Sequence, residues 1–103
     1  MKQQYDTTDI RLRLMPVFES APIQRATLFG SYAKGTATPQ SDIDIVLDSQ
    51  GELRGLEFYG ILEDITEALG KKVDLFEISE IQPHSPFMDE INRQGVVLYE
   101  RQR

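Results

Sequence analysis

Two aspartates one residue apart, Asp42 and Asp44, stand at the head of an apolar run from Ile43 to Leu47. Upstream, a Gly30-Ser31 pair directly follows a second apolar run, Ala26-Thr27-Leu28-Phe29. Alternate residues of a strand point the same way, so Asp42 and Asp44 share one face while Ile43 and Ile45 share the other. Two carboxylates 5 Å apart repel by roughly 3 kcal/mol at an effective dielectric of about 20. A bound cation is the usual means of offsetting that repulsion. A glycine lets backbone approach a ligand closely, and the turn of helix expected over Tyr32-Ala33-Lys34 would aim N–H groups at a phosphate. The combination reads as a metal–nucleotide site.

Asp74 extends the pattern. It sits among apolar neighbours in a run from Lys72 to Ile78, where an unpaired carboxylate is costly. If that strand lies beside the Asp42–Asp48 strand, three carboxylates converge at one end of a sheet. Oxygen-only ligands at this density suit Mg²⁺ or Mn²⁺ rather than zinc, since the chain has no cysteine and one histidine. Two such ions about 4 Å apart can activate an attacking hydroxyl and steady a leaving pyrophosphate. The plainer alternatives are an edge strand with a solvated acidic face and a solvated Lys34. Ser41, just before the pair, reads by itself as a loop cap. His84, in a loop between Pro83 and Ser85, is given no catalytic role.

The elements that must hold these residues follow from periodicity and caps. Thr8 to Glu19 carries Ile10, Leu14, Val17 and Phe18 at helical spacing, with Asp6, Thr7 or Thr8 as N-cap and an expected kink or restart at Pro16. Arg25 to Phe29 and Asp42 to Asp48 read as strands, and the polar loop from Thr36 to Ser41 joins them through the Gly30-Ser31 turn. Leu56 to Leu69 is a helix with Leu56, Tyr59, Leu62, Ile65 and Leu69 as its apolar stripe, ended by Gly70. The third strand, from Lys72, sets Val73, Leu75 and Glu77 on one face and Asp74, Phe76 and Ile78 on the other. Ser85-Pro86 opens a helix that ends at Gln94 before Gly95, and Val96 to Tyr99 is a last strand. The order α-β-α-β-α-β-α-β predicts one α/β domain over residues 1–103, a small mixed sheet flanked by helices.

Composition limits what such a site can serve. Among 103 residues 40% are hydrophobic and 27% charged, the balance of a globular protein. The absence of cysteine excludes disulfides, thiolate zinc sites and cysteine nucleophiles. No run reaches the ~18 apolar residues of a membrane span, and the start lacks an apolar signal core, so the expectation is cytoplasmic. The net charge of −6 is uneven, +2 over residues 1–41 and −8 over 42–103. Nucleic acid needs a basic face, so no direct nucleic-acid binding is expected. An acidic half suits metal ions or a basic protein partner.

Taken in order, Leu28-Phe29-Gly30-Ser31-Tyr32-Ala33-Lys34-Gly35, Ser41-Asp42-Ile43-Asp44 and Val73-Asp74-Leu75 resemble the minimal nucleotidyltransferases of the DNA polymerase beta superfamily. The closing segment from Asn92 to Glu100 is similar to the end of such domains, and Lys34 stands where the family often has arginine. The resemblance implies a polymerase-beta-like fold. It also implies that Asp42 and Asp44 bind the metals holding an NTP, and that Asp74 completes a metal site and helps deprotonate the acceptor. Gly30 and Ser31 would cradle the β- and γ-phosphates, with Lys34 and Ser41 as further nucleotide-binding candidates. Mg²⁺, as two ions, would be the cofactor and ATP the substrate. Freestanding members of this length resemble antitoxins paired with HEPN-domain RNase toxins. That implies a hetero-oligomer in which AMP is transferred to a toxin tyrosine. The alternatives are an antitoxin acting by occlusion alone and the catalytic subunit of an aminoglycoside-type transferase.

Overall fold

The computed structural model describes residues 5–102. Its elements are α1 (Thr7–Glu19), β1 (Arg25–Phe29), α2 (Ser31–Lys34), β2 (Ile43–Asp48), α3 (Leu56–Leu69), β3 (Val73–Glu77), α4 (Pro86–Gln94) and β4 (Val96–Glu100), with a single 3₁₀ turn over Ile78–Glu80. The four strands form one mixed sheet in the order β3-β2-β1-β4. β1 runs antiparallel to β2 and β4, while β2 and β3 are parallel. A parallel pair needs a long crossover, and α3 supplies it. The expected α/β class, with a mixed sheet flanked by helices, is what the chain forms.

The two faces of the sheet are covered unequally. On one, Ala26, Leu28, Ile43, Ile45 and Leu47 pack against Ile10, Leu14 and Phe18 of α1 and Ile65 and Leu69 of α3, all essentially buried. Each such side chain contributes about 1.5–3 kcal/mol through burial. The other face carries a smaller cluster, Phe29, Val46 and Ile91, with Ile78, Ile81 and Phe87 around it. Strand alternation puts Asp44 and Asp74 on this half-covered face.

Local chemistry explains most boundaries. Asp6 caps α1 by accepting from the Asp9 N–H at 2.8 Å, and Asp9 accepts in return from the Asp6 N–H. The expected break at Pro16 does not occur, for α1 runs uninterrupted through it. Pro16 and Leu12, whose carbonyl loses its partner, lie on the exposed side, where water can satisfy it. Ser85 caps α4 by accepting from the Met88 N–H at 3.1 Å, with Pro86 in the first turn. The stripe expected for α3 is half right: Ile65 and Leu69 are buried, but Leu56 and Tyr59 point to solvent. The buried residues of the helix, Ile65 and Leu69, both lie in its C-terminal half. Among the described residues no helix is long and apolar enough to cross a membrane.

Glu77 is the strongest departure from simple patterning. This carboxylate is 2% exposed at the end of β3. It accepts from the Ser49 N–H at 2.9 Å, from the Ser49 hydroxyl, and from the Ser79 N–H at 2.9 Å. The Ser49 hydroxyl oxygen in turn accepts from the Leu53 N–H at 3.0 Å. Burial alone would raise the Glu77 carboxyl, but these donors outweigh it and hold it below its ordinary value. The loop after β2 is thus tied to the end of β3. Ser49→Ala is expected to cost about 2 kcal/mol in urea unfolding at pH 7, since it strips a donor from a buried charge. A depressed carboxyl contributes stability above its unfolded value that is lost as pH falls, so the deficit should shrink in acid. An equal deficit at pH 3 and pH 7 would contradict this account.

Candidate active site

The site is built where β1 ends. Asp44 on β2 pairs in register with Phe29 of β1 on one side and with Asp74 of β3 on the other. The chain then turns at Gly30, whose backbone runs directly against the Asp44 carboxyl. A Cβ placed on Gly30 would overlap Asp44 Oδ2 and lie 3.2 Å from its Cγ. The Gly30 backbone, at φ 73° and ψ −155°, is in a region that essentially only glycine occupies. Glycine is therefore demanded twice, by the backbone angles and by the carboxylate beside it.

Electrostatics mark Asp44 as the centre. Its carboxyl is pushed up from 3.8 to about 6, first by burial, then by the charge of Asp74 and a hydrogen bond with it, then by Asp42 and Glu90. The Asp44 carboxyl therefore keeps its proton to a higher pH than an isolated acid would. Glu90 comes from α4, where Phe87 and Ile91 turn the same side of the helix toward the sheet. Sequence reading did not single it out, although the i, i+3, i+4 spacing around Phe87 carried the signal.

Asp44 and Asp74 stand side by side, while Asp42 is paired with a lysine although its charge still bears on Asp44. Asp42 precedes the first residue of β2, and its Oδ2 lies 3.5 Å from the Lys72 Nζ. The Ile43–Val73 register sets Lys72 alongside Asp42, which is the physical reason. Both side chains are well exposed, so the ion pair is weak and readily exchanged. Among the described residues no group of three or more His, Cys, Asp or Glu is gathered tightly enough to hold a metal ion. The donor chemistry still fits a hard divalent cation. The donors are all carboxylate oxygens, the ligand type that such an ion takes.

The remaining candidates divide. Ser31, the first residue of α2, follows Gly30 and is half-buried. Lys34 is exposed and lines a separate hollow with Tyr5, Thr7, Tyr32 and Gly35, away from the acids. The Ser41 hydroxyl accepts from the Thr38 N–H at 2.9 Å, which closes the loop before β2. Beside the acid pair stands an aromatic cluster that sequence reading also missed. Phe29, Phe76 and Phe87 have ring centroids 5.2 to 5.9 Å apart. Phe76 shares the sheet face of Asp74 and opens onto a groove of about 460 Å³ that also takes in Phe58, Ile81 and Phe87.

A strand ending in a glycine turn against paired acids on adjacent strands is the arrangement of a nucleotidyltransferase. Residues 13–103 match the family described as "Polymerase beta, Nucleotidyltransferase", and the chain belongs to it. It is similar to a "putative protein adenylyltransferase" of Methanocaldococcus jannaschii, with 31% identity over 73% of this chain and 81% of the relative. A second protein of that name and organism is 37% identical over 64% of this chain and 66% of its own length. Among solved structures, a mutant of the toxin–antitoxin complex MntA-HpeT has a chain with 26% identity and a TM-score of 0.70, covering 96% of this chain and 76% of that one. A toxin–antitoxin structure with AMP-PNP shares the fold at a TM-score of 0.76 and 24% identity, over 89% of this chain and 74% of that one.

Proposed function

We propose that this chain transfers AMP from ATP to a tyrosine of a HEPN-domain RNase toxin and thereby neutralises it. The observation that carries the proposal is the Asp44–Asp74 pair, side by side on adjacent strands with the Gly30 backbone against Asp44. Support for a protein acceptor comes from the adenylyltransferase relatives and from the likeness to a toxin–antitoxin chain at 26% identity. The acidic balance of residues 42–103 also favours a protein over a nucleic acid.

In this reading Asp42, Asp44 and Asp74 would hold Mg²⁺, which would supply positive charge against the triphosphate. Gly30 and Ser31 offer backbone N–H groups to the β- and γ-phosphates, unobstructed because residue 30 has no side chain. Asp74, next to Asp44, takes the proton of the tyrosine hydroxyl. The tyrosine oxygen forms a bond to the α-phosphorus as the bond to pyrophosphate breaks, and AMP remains on the tyrosine. Lys34 and Ser41 are expected to contribute little, given their positions.

The test is incubation with ATP, Mg²⁺ and the protein encoded next to this chain, which the proposal requires to be a HEPN-domain toxin, read by intact mass. The expected result is addition of AMP to a toxin tyrosine, abolished by EDTA and by Asp42→Asn/Asp44→Asn. Neutralisation that persists without ATP and in the double variant would replace catalysis with occlusion.

A further inference from the structure

α3 has a face that nothing among the described residues covers. Leu56 is 89% exposed and Tyr59 64%, although both are large apolar side chains. Residues three and four apart are neighbours on a helix, so the same stripe runs Leu56, Tyr59, Gly60, Glu63, Glu67. Gly60 sits in the helix interior, where glycine is less favourable than alanine. A Cβ placed there meets nothing within 4 Å, so packing among the described residues gives no reason for a glycine. A second helix crossing close over that point does, because the side chains at a crossing set how near two helices approach. Phe58 and Tyr59 also border a hollow of about 460 Å³ with Leu53, Arg54, Glu77 and Glu80, which extends the surface toward the open edge of β3.

We infer that this face of α3 docks an amphipathic helix of a second protein, with an apolar side chain over Gly60 and Lys or Arg opposite Glu63 and Glu67. Charge selects that occupant over a second copy of this chain. Antiparallel pairing about Gly60 would set Glu63 against Glu57 of the other copy, and parallel pairing would set Glu63 against Glu63, each a like-charge contact. Residues 42–103 carry a net −8, which favours a basic partner. α3 packs on the sheet face opposite Asp44 and Asp74, so a partner held there leaves the acids open to ATP. This inference rests on the reading that the acceptor is a protein, and it assigns that protein's anchor.

The test uses as probe the protein encoded next to this chain, which the proposed function requires to be a HEPN-domain toxin, with affinity measured by titration calorimetry. Gly60→Gln adds bulk while improving helix propensity, so it should fold at least as well as the natural chain. It is expected to weaken the complex at least tenfold, as is Glu63→Lys/Glu67→Lys, while Asp44→Asn binds normally. Unchanged affinity in both α3 variants overturns the docking face, even if AMP transfer proceeds. Absence of any complex overturns it too, as does a homodimer of the natural chain that Gly60→Gln dissociates. Weakened binding in the α3 variants without AMP transfer by the natural chain supports the docking face and sinks the catalytic reading instead.

Discussion

Asp44→Asn is expected to lower AMP transfer about a thousandfold while leaving the protein harder to unfold at pH 7. The amide keeps the shape of the side chain but loses the charge that would hold the metal. A thousandfold loss corresponds to about 4 kcal/mol of transition-state stabilisation. The gain in stability comes from the same charge. Asp44 ionises near 6 in the folded protein against an ordinary 3.8, because it is buried and faces Asp74. Well below pH 3.8 the group is protonated in both states and costs nothing. As pH rises through 6 the folded protein must ionise it unfavourably, and stability is lost. Discounted for solvent screening of a partly exposed group, the penalty is about 1 kcal/mol. Thermal unfolding of the two proteins should therefore coincide near pH 3 and diverge by pH 7. Mg²⁺ at pH 7 should raise the midpoint of the natural chain and not that of the variant. An asparagine variant that transfers AMP at the natural rate would remove Asp44 from the chemistry.

Gly30→Ala should damage the fold and the activity together. The Gly30 backbone angles cost a residue with a Cβ about 1–3 kcal/mol. The new methyl also overlaps the Asp44 carboxyl, which must turn away. A loss of about 3 kcal/mol in urea unfolding and a hundredfold fall in transfer are the expected results. The two causes can be separated by a cycle with Asp44→Ala. In that background the overlap is gone and only the backbone cost remains, so Gly30→Ala should cost about 1 kcal/mol less. Equal cost in both backgrounds would show that the contact with Asp44 contributes nothing.

Those two residues were legible before any coordinates, because their signals are local. An apolar strand, a glycine and an Asp-x-Asp are read within short windows, whereas the adjacency of β2 and β3 stood only as a condition until the sheet order was known. The caps of α1 and α4 were legible for the same reason. Other features depend on what lies across space. Glu77 reads as an ordinary surface acid until Ser49 and Ser79 are seen donating to it. Glu90 and the Phe29–Phe76–Phe87 cluster arise where α4 meets the sheet. The α3 stripe was misjudged at Leu56 and Tyr59 because periodicity fixes which residues share a face, not how much of it the neighbouring elements reach. Pro16 was misjudged because the cost of its lost hydrogen bond depends on whether Leu12 faces water.

β3 is one of the two edge strands, paired with β2 alone, and its Glu77 end is tied to the loop after β2. Asp74 lies near the opposite end, where the Ile43 N–H donates to the Lys72 carbonyl at 3.2 Å and the Lys71 Nζ to the Pro39 carbonyl at 2.9 Å. The strand is thus pinned at both ends by contacts outside the ladder, and the spacing of Asp44 and Asp74 is inherited from two loops as much as from the sheet.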